Sequence, residues 1–175
     1  MTTGGVGRYL KTKLEIDPTA FVAPGAALVG EVTLGAESSL WYGVVARGDM
    51  EPIVIGRQTN IQDNSVIHVD VNLPTHIGDN VTVGHRAVIH GCVIEDGALI
   101  GIGAIVLSGA RVGKGALVAA GALVREGMVV PPGMLFAGVP GKVLRELAAE
   151  EMRRVAANSL SYVEYARRYR ARELG

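Results

Sequence analysis

Residues 94–124 read IEDGALIGIGAIVLSGARVGKGALVAAGALV, and an aliphatic residue returns at every sixth position: Ile94, Ile100, Val106, Val112, Val118 and Val124. An α-helix would repeat at 3.6 residues and a half-buried strand at two, so neither explains this beat. Working outward, the same spacing runs through Val22, Leu28, Leu34 and Leu40, then Ile55, Ile61 and Ile67, then Ile77, Val83 and Ile89. A glycine often follows the aliphatic residue, as at Gly35, Gly78 and Gly101. The pattern predicts a mainly β protein, a left-handed parallel β-helix of hexapeptide repeats. Each hexad is then a short strand and a corner, and three hexads close one triangular coil. The aliphatic side chains point inward and stack from coil to coil at about 4.8 Å.

Composition agrees with a core of small branched side chains. Gly accounts for 24 of 175 residues and aromatics for only 5%. Lys+Arg and Asp+Glu are both 17, which argues against a nucleic-acid or anionic-membrane partner. One cysteine, Cys92, excludes a disulfide framework or a thiolate cluster. The first residues lack the apolar run of a signal peptide. No apolar stretch approaches the roughly 20 residues of a membrane span. A cytoplasmic address is the simplest expectation.

The organisation follows from where the beat starts and stops. Residues 1–16 are expected to be a lead-in strand and cap, and 17–140 the solenoid. Residues 141–175 are expected to hold an amphipathic helix of roughly 25 residues packing along the solenoid. Its apolar spacing runs through Leu144, Ala148, Met152, Val155, Ser159, Tyr162, Val163 and Ala166. Three breaks interrupt the beat. Ala46 to Pro52 fits it poorly, Ile67 and Ile77 are ten apart, and Ile89 and Ile94 are five apart. Solenoids place such irregularities in corner loops near binding faces.

The histidines lie at these breaks. His68 and His90 each follow an aliphatic residue, Ile67 and Ile89, by one position. Allowing for the inserted residues, they stack on one face, one coil apart. His85 follows Val83 by two and belongs to the preceding face. One chain cannot easily bring all three together, but a three-fold assembly can. That predicts a metal site at each subunit boundary, with an open fourth position as in catalytic zinc. The alternative is three packed or surface histidines. His76, in the insertion, is expected to be of that ordinary kind.

The set Arg47-Gly48-Asp49, Asn60-Ile61-Gln62-Asp63, His68 and the run GHRAVIHGC from Gly84 to Cys92 resembles the γ-class carbonic anhydrases. The resemblance covers about Asp17 to Tyr169. It implies a homotrimer, with zinc (iron or cobalt in some members) on His68, His85 and His90. The expected activity is reversible hydration of CO2 to bicarbonate by a zinc-bound hydroxide. By the same resemblance Arg47 and Asp63 pair across the subunit boundary. Gln62 hydrogen-bonds the metal-bound water, and Asp49 and Asn60 order the surrounding network. Tyr162, and Asn158 one turn earlier, are placed near the active site. Cys92 is expected to be a small buried residue.

Two departures stand out. The insertion after His68 is short, and Asp70 is its only carboxylate, where the best-studied active members of the family carry a long acidic loop. Met50 stands where they have another acid. Rival functions share the repeat. One is a hexapeptide acyltransferase using acyl-CoA with a histidine as general base, to which Ala137–Lys142 also bears a likeness. The other is a non-catalytic metal-binding trimer.

Overall fold

The computed structural model describes residues 13–173. The chain is a left-handed parallel β-helix of about seven coils followed by one α-helix. Short parallel strands stack on three faces. The first runs Ala27–Gly30, Val45–Arg47, Val66–His68, Val88–His90, Ile105–Val106 and Leu123–Val124. The second includes Ile53–Ile55, Thr75–Ile77, Val93–Ile94, Arg111–Val112 and Val129–Val130. The third includes Ser39–Leu40, Asn60–Ile61, Thr82–Val83, Leu99–Ile100 and Leu117–Val118.

The hexad aliphatics form the core. Ile67, Ile89, Val106 and Val124 stack on the first face, and Ile77, Ile94, Val112 and Val130 on the second. Leu40, Ile61, Val83, Ile100 and Val118 stack on the third, and every one of these is 0% exposed. Each such side chain contributes about 1.5–3 kcal/mol relative to leaving it in water. Ala98, Ala104, Ala110, Ala116 and Ala122 fill the corners between the stacks.

The glycines do two different jobs. Gly101, after an aliphatic residue, has an ordinary φ but lies against the next coil, where an added Cβ would stand 2.5 Å from the Ala120 nitrogen. Gly103, at the corner, has φ +66° with open space around it. Asn64 and Arg86 also adopt positive φ, at 59° and 58°.

The irregular stretch Ala46–Pro52 belongs to an 11-residue strand, Val45–Ile55, that serves two faces. Its pairing with Ala27–Leu34 shifts register between Gly30 and Val32. The extra residues bulge out at the corner and carry Asp49.

The C-terminal boundary differs from the sequence expectation. Gly141–Glu146 is a strand, antiparallel to Met134–Gly138, and not part of a helix. This hairpin turns at Gly138, φ +103°, and closes the end of the solenoid over Phe136, which is 0% exposed. It covers what would otherwise be an open strand edge. The helix, α1, spans Ala149–Glu173. Leu144, 50% exposed, lies in the strand rather than the helix, and Met152, 47% exposed, lies off the helix's packing face. That face is Val155, Ser159, Tyr162, Val163 and Ala166, set against the third face of the solenoid. Arg170 donates to the carbonyls of Thr19 and Pro18 at 2.6 and 2.8 Å, and Arg167 pairs with Glu37. At the other end β-strand Lys13–Ile16 pairs with Glu31–Leu34, and the rest of 1–16 lies outside the described residues. No helix among the described residues is long and apolar enough to cross a membrane.

Candidate metal centre

Strand register puts His68 directly beside His90 on the first face. Their rings lie 5.1 Å apart between centroids, with His68 Nδ1 3.1 Å from His90 Nε2. The other two ring nitrogens face a carboxylate and a hydroxyl. His68 Nε2 is 3.0 Å from Asp49 Oδ1, and a carboxylate only accepts, so this nitrogen donates. His90 Nδ1 is 2.9 Å from Ser108 Oγ, whose hydroxyl donates to Asp70 Oδ2 at 2.9 Å, so His90 Nδ1 also donates.

In neutral rings the two nitrogens that face each other then both carry lone pairs. At 3.1 Å these repel unless a shared proton or a metal cation lies between them. Two ligands on a tetrahedral zinc at about 2.0–2.1 Å hold their nitrogens roughly 3.4 Å apart. The donor set and its spacing thus fit a divalent cation that favours imidazole. Burial raises the Asp49 carboxyl, but hydrogen bonds from Arg47 and His68 outweigh it and leave the group below its ordinary value. The Val71 N–H, then the Ser108 hydroxyl, lower that of Asp70.

The remaining candidates sit elsewhere. His85 is at the corner between the third and first faces, with Nδ1 2.9 Å from Asp63 Oδ2. It therefore donates from Nδ1 and leaves Nε2 free. Gln62, 5% exposed, donates from Nε2 to Asn60 Oδ1 at 3.1 Å. Asn60 donates to Thr82 Oγ1 at 3.0 Å, and Thr82 reaches Asn158 on α1 at 3.5 Å. This buried chain ties the helix to the corner. Tyr162 packs edge-on against Trp41 at 5.5 Å and lines a cleft of about 560 Å³ with Asp63, Tyr42, Tyr165 and Tyr169. Burial and then the Asp63 charge raise its hydroxyl pKa.

One chain thus carries two separate groups. Arg47, Asp49, His68 and His90 gather on the first face, and Asn60, Gln62, Asp63, His85 and Tyr162 at the corner. Arg47 pairs with Asp49 at 2.5 Å, not with Asp63 of its own chain. Among the described residues no three His, Cys, Asp or Glu side chains of one chain are arranged to hold a metal. His76 is exposed and lies in the strand Thr75–Ile77. Cys92 is 1% exposed, and burial pushes its thiol up to about 12, so it is an inert packing residue.

Beside the histidine pair an apolar ladder faces outward: Val45, Val66, Val88, Ile105 and Leu123 are successive register partners. Val45, Val66 and Ile105 are 36%, 40% and 37% exposed. Ser108, unlike the other site residues, has no motif in the sequence. The signal available was its distance, one 18-residue coil beyond His90.

Residues 91–126 match the family model "Bacterial transferase hexapeptide (six repeats)". A "Probable carbonic anhydrase" of Methanocaldococcus jannaschii is 57% identical over 143 residues, covering 82% of this chain and 90% of that one. "Gamma carbonic anhydrase 3, mitochondrial" of Arabidopsis thaliana is 59% identical over 157 residues, covering 86% of this chain but only 60% of that protein. Among solved structures, a putative acetyltransferase of Bacillus cereus superposes with TM-score 0.91 at 41% identity, covering 92% of this chain and 94% of that one.

Proposed function

Given that the chain belongs to the γ-class carbonic anhydrase family of hexapeptide-repeat proteins, we propose that it is a metal-dependent carbonic anhydrase, interconverting CO2 and bicarbonate at sites between the subunits of a homotrimer. The observation that carries this reading is the division of the site. His68 and His90 converge two lone pairs on one face, while His85 turns Nε2 outward from a different corner. Among the described residues no third ligand of the same chain joins the pair, which supports a site completed by another chain. The exposed apolar ladder beside the pair supplies the kind of surface a second copy would cover.

His68, His90 and His85 of the partner subunit would hold zinc, with iron or cobalt as substitutes. Zinc held by three imidazoles lowers the pKa of water to about 7 and so supplies hydroxide at neutral pH. The chain's own residues do the rest. Asp49 and Asp63 orient His68 and His85 through their second nitrogens. Gln62, its Nε2 held by Asn60, keeps Oε1 to accept from a water and aim its oxygen at CO2. Arg47 on the rim meets Asp63 of the partner subunit, fixing register between subunits. Trp41 and Tyr162 give the neighbouring wall an apolar surface suited to an uncharged substrate.

The test is metal analysis of protein purified without chelator, followed by stopped-flow CO2 hydration with and without added zinc. About one metal per chain and zinc-dependent hydration are expected. A fully metallated protein with no hydration above buffer would sink this reading and leave a non-catalytic metal-binding trimer. Acyl transfer from acyl-CoA by metal-free protein would favour the acyltransferase reading instead.

A further inference from the structure

The short loop after His68 turns back on itself. Asp70 and Leu73 exchange backbone hydrogen bonds, each 3.0 Å, and Thr75 Oγ1 donates to the His68 carbonyl at 2.5 Å. Val69 is 0% exposed and anchors the loop in the core. Gly91 packs under it, where an added Cβ would lie 3.2 Å from the Asp70 Cβ. The Asp70 carboxylate is therefore held, with Oδ1 on the Val71 N–H at 2.8 Å and Oδ2 on the Ser108 hydroxyl at 2.9 Å. Ser108 comes from the next coil, and its Oγ lies 2.9 Å from His90 Nδ1. Three elements, a loop and two successive coils, thus form one directed chain: carboxylate, hydroxyl, imidazole.

Direction matters here. A hydroxyl has a single proton, and Ser108 gives it to Asp70. Its oxygen can then only accept from His90, which must carry its proton on Nδ1. In the neutral ring Nε2 is then left unprotonated, facing His68 Nδ1. Without Asp70 the hydroxyl is free to turn and donate to Nδ1, which sends the ring proton to Nε2 and blocks that nitrogen as a ligand.

We propose that Asp70 and Ser108 are positioning residues that hold His90 as the Nδ1–H tautomer, with Nε2 prepared for the metal. This rests on the metal-site reading for its purpose, but its content is a statement about the tautomer of the chain itself. Outer partners of this kind change metal affinity by about 10–100-fold.

Long-range proton–nitrogen NMR of the metal-free full-length protein tests it, with the His90 ring signals assigned by their loss in His90→Gln. The wild type is expected to show a protonated Nδ1 and an unprotonated Nε2. Ser108→Ala and Asp70→Asn are expected to mix or reverse the tautomers, and Ser108→Thr to restore the wild-type pattern. A wild-type His90 protonated on Nε2, or an unchanged tautomer in both variants with the fold verified by circular dichroism, would overturn the proposal. In parallel, cobalt titration against a chromophoric chelator should show affinity lowered about 10–100-fold in Ser108→Ala and Asp70→Asn, and recovered in Ser108→Thr. If the wild type has the expected tautomer yet binds no cobalt, the metal-site reading fails while the positioning of His90 by Asp70 and Ser108 stands.

Discussion

Glycines only two residues apart in this repeat fail for opposite reasons when replaced. Gly101 needs the absence of a Cβ because the next coil's backbone is 2.5 Å away, and backbone cannot yield as a flexible side chain does. Gly103 has room but needs a left-handed backbone, which costs an L-residue about 1–2 kcal/mol. Urea unfolding should therefore rank Gly103→Asn as mildest, Gly103→Ala next at about 1–2 kcal/mol, and Gly101→Ala as worst. Asn64 already tolerates such a φ at a corner. At this scale the sequence was informative wherever the period dictates register. His68 and His90 are one coil apart once four inserted residues are discounted, and they are register partners. It was silent where contact depends on side-chain rotation. Spacing stacks Asp63 one coil from His85 and Ser108 one coil from His90, but it does not say that those side chains turn to meet.

Two elements show the same division. The start of α1 is set by local charges. Glu151 accepts from the Ala148 N–H at 2.8 Å and forms a two-pronged pair with Arg145 at 2.7 and 2.9 Å. Arg145, followed by the Ala148 N–H, lowers the Glu151 carboxyl to about 2. A carboxyl depressed by folding contributes stability above its ordinary value near 4.5, and loses it as pH falls toward 2. Melting curves should show Glu151→Gln less stable than wild type at pH 6, with the gap closing near pH 2. The helix itself was legible from its apolar spacing. Its start was not, because Gly141–Glu146 is held by backbone pairing with a neighbouring strand, is exposed from Lys142 to Glu146, and carries no six-residue beat. The loop Val69–Thr75 makes a second prediction. Asp70, its only carboxylate, is engaged by Val71 and Ser108 and so is not free to carry protons outward. Proton release from the site then falls to water and buffer. The stopped-flow turnover should rise with imidazole or phosphate concentration at fixed pH and ionic strength, and level off when another step takes over.

For the whole molecule, the repeat alone dictated architecture. A six-residue period, few aromatics and frequent glycine leave little else that could bury those aliphatics. Most of the described aromatics, Phe21, Trp41, Tyr162 and Tyr169 among them, gather where α1 docks. That docking was less legible, because it depends on the surface of the third face rather than on any period. The separated halves of the site permit a test by complementation. His68→Ala and His85→Ala chains should each assemble but bind metal poorly. Mixed and re-annealed, they should regain cobalt binding, because some interfaces pair an intact His85 with an intact His68 and His90. No recovery after verified subunit exchange would refute the shared site.

That separation also governs how damage spreads through a mixed population of chains. A chain injured only at His85 still lends its first face to one neighbour, so each such copy silences one site. A chain injured on both surfaces withdraws from two sites at once. Such an allele would behave as a partial poison beside a healthy one, removing more activity than its share of the chains.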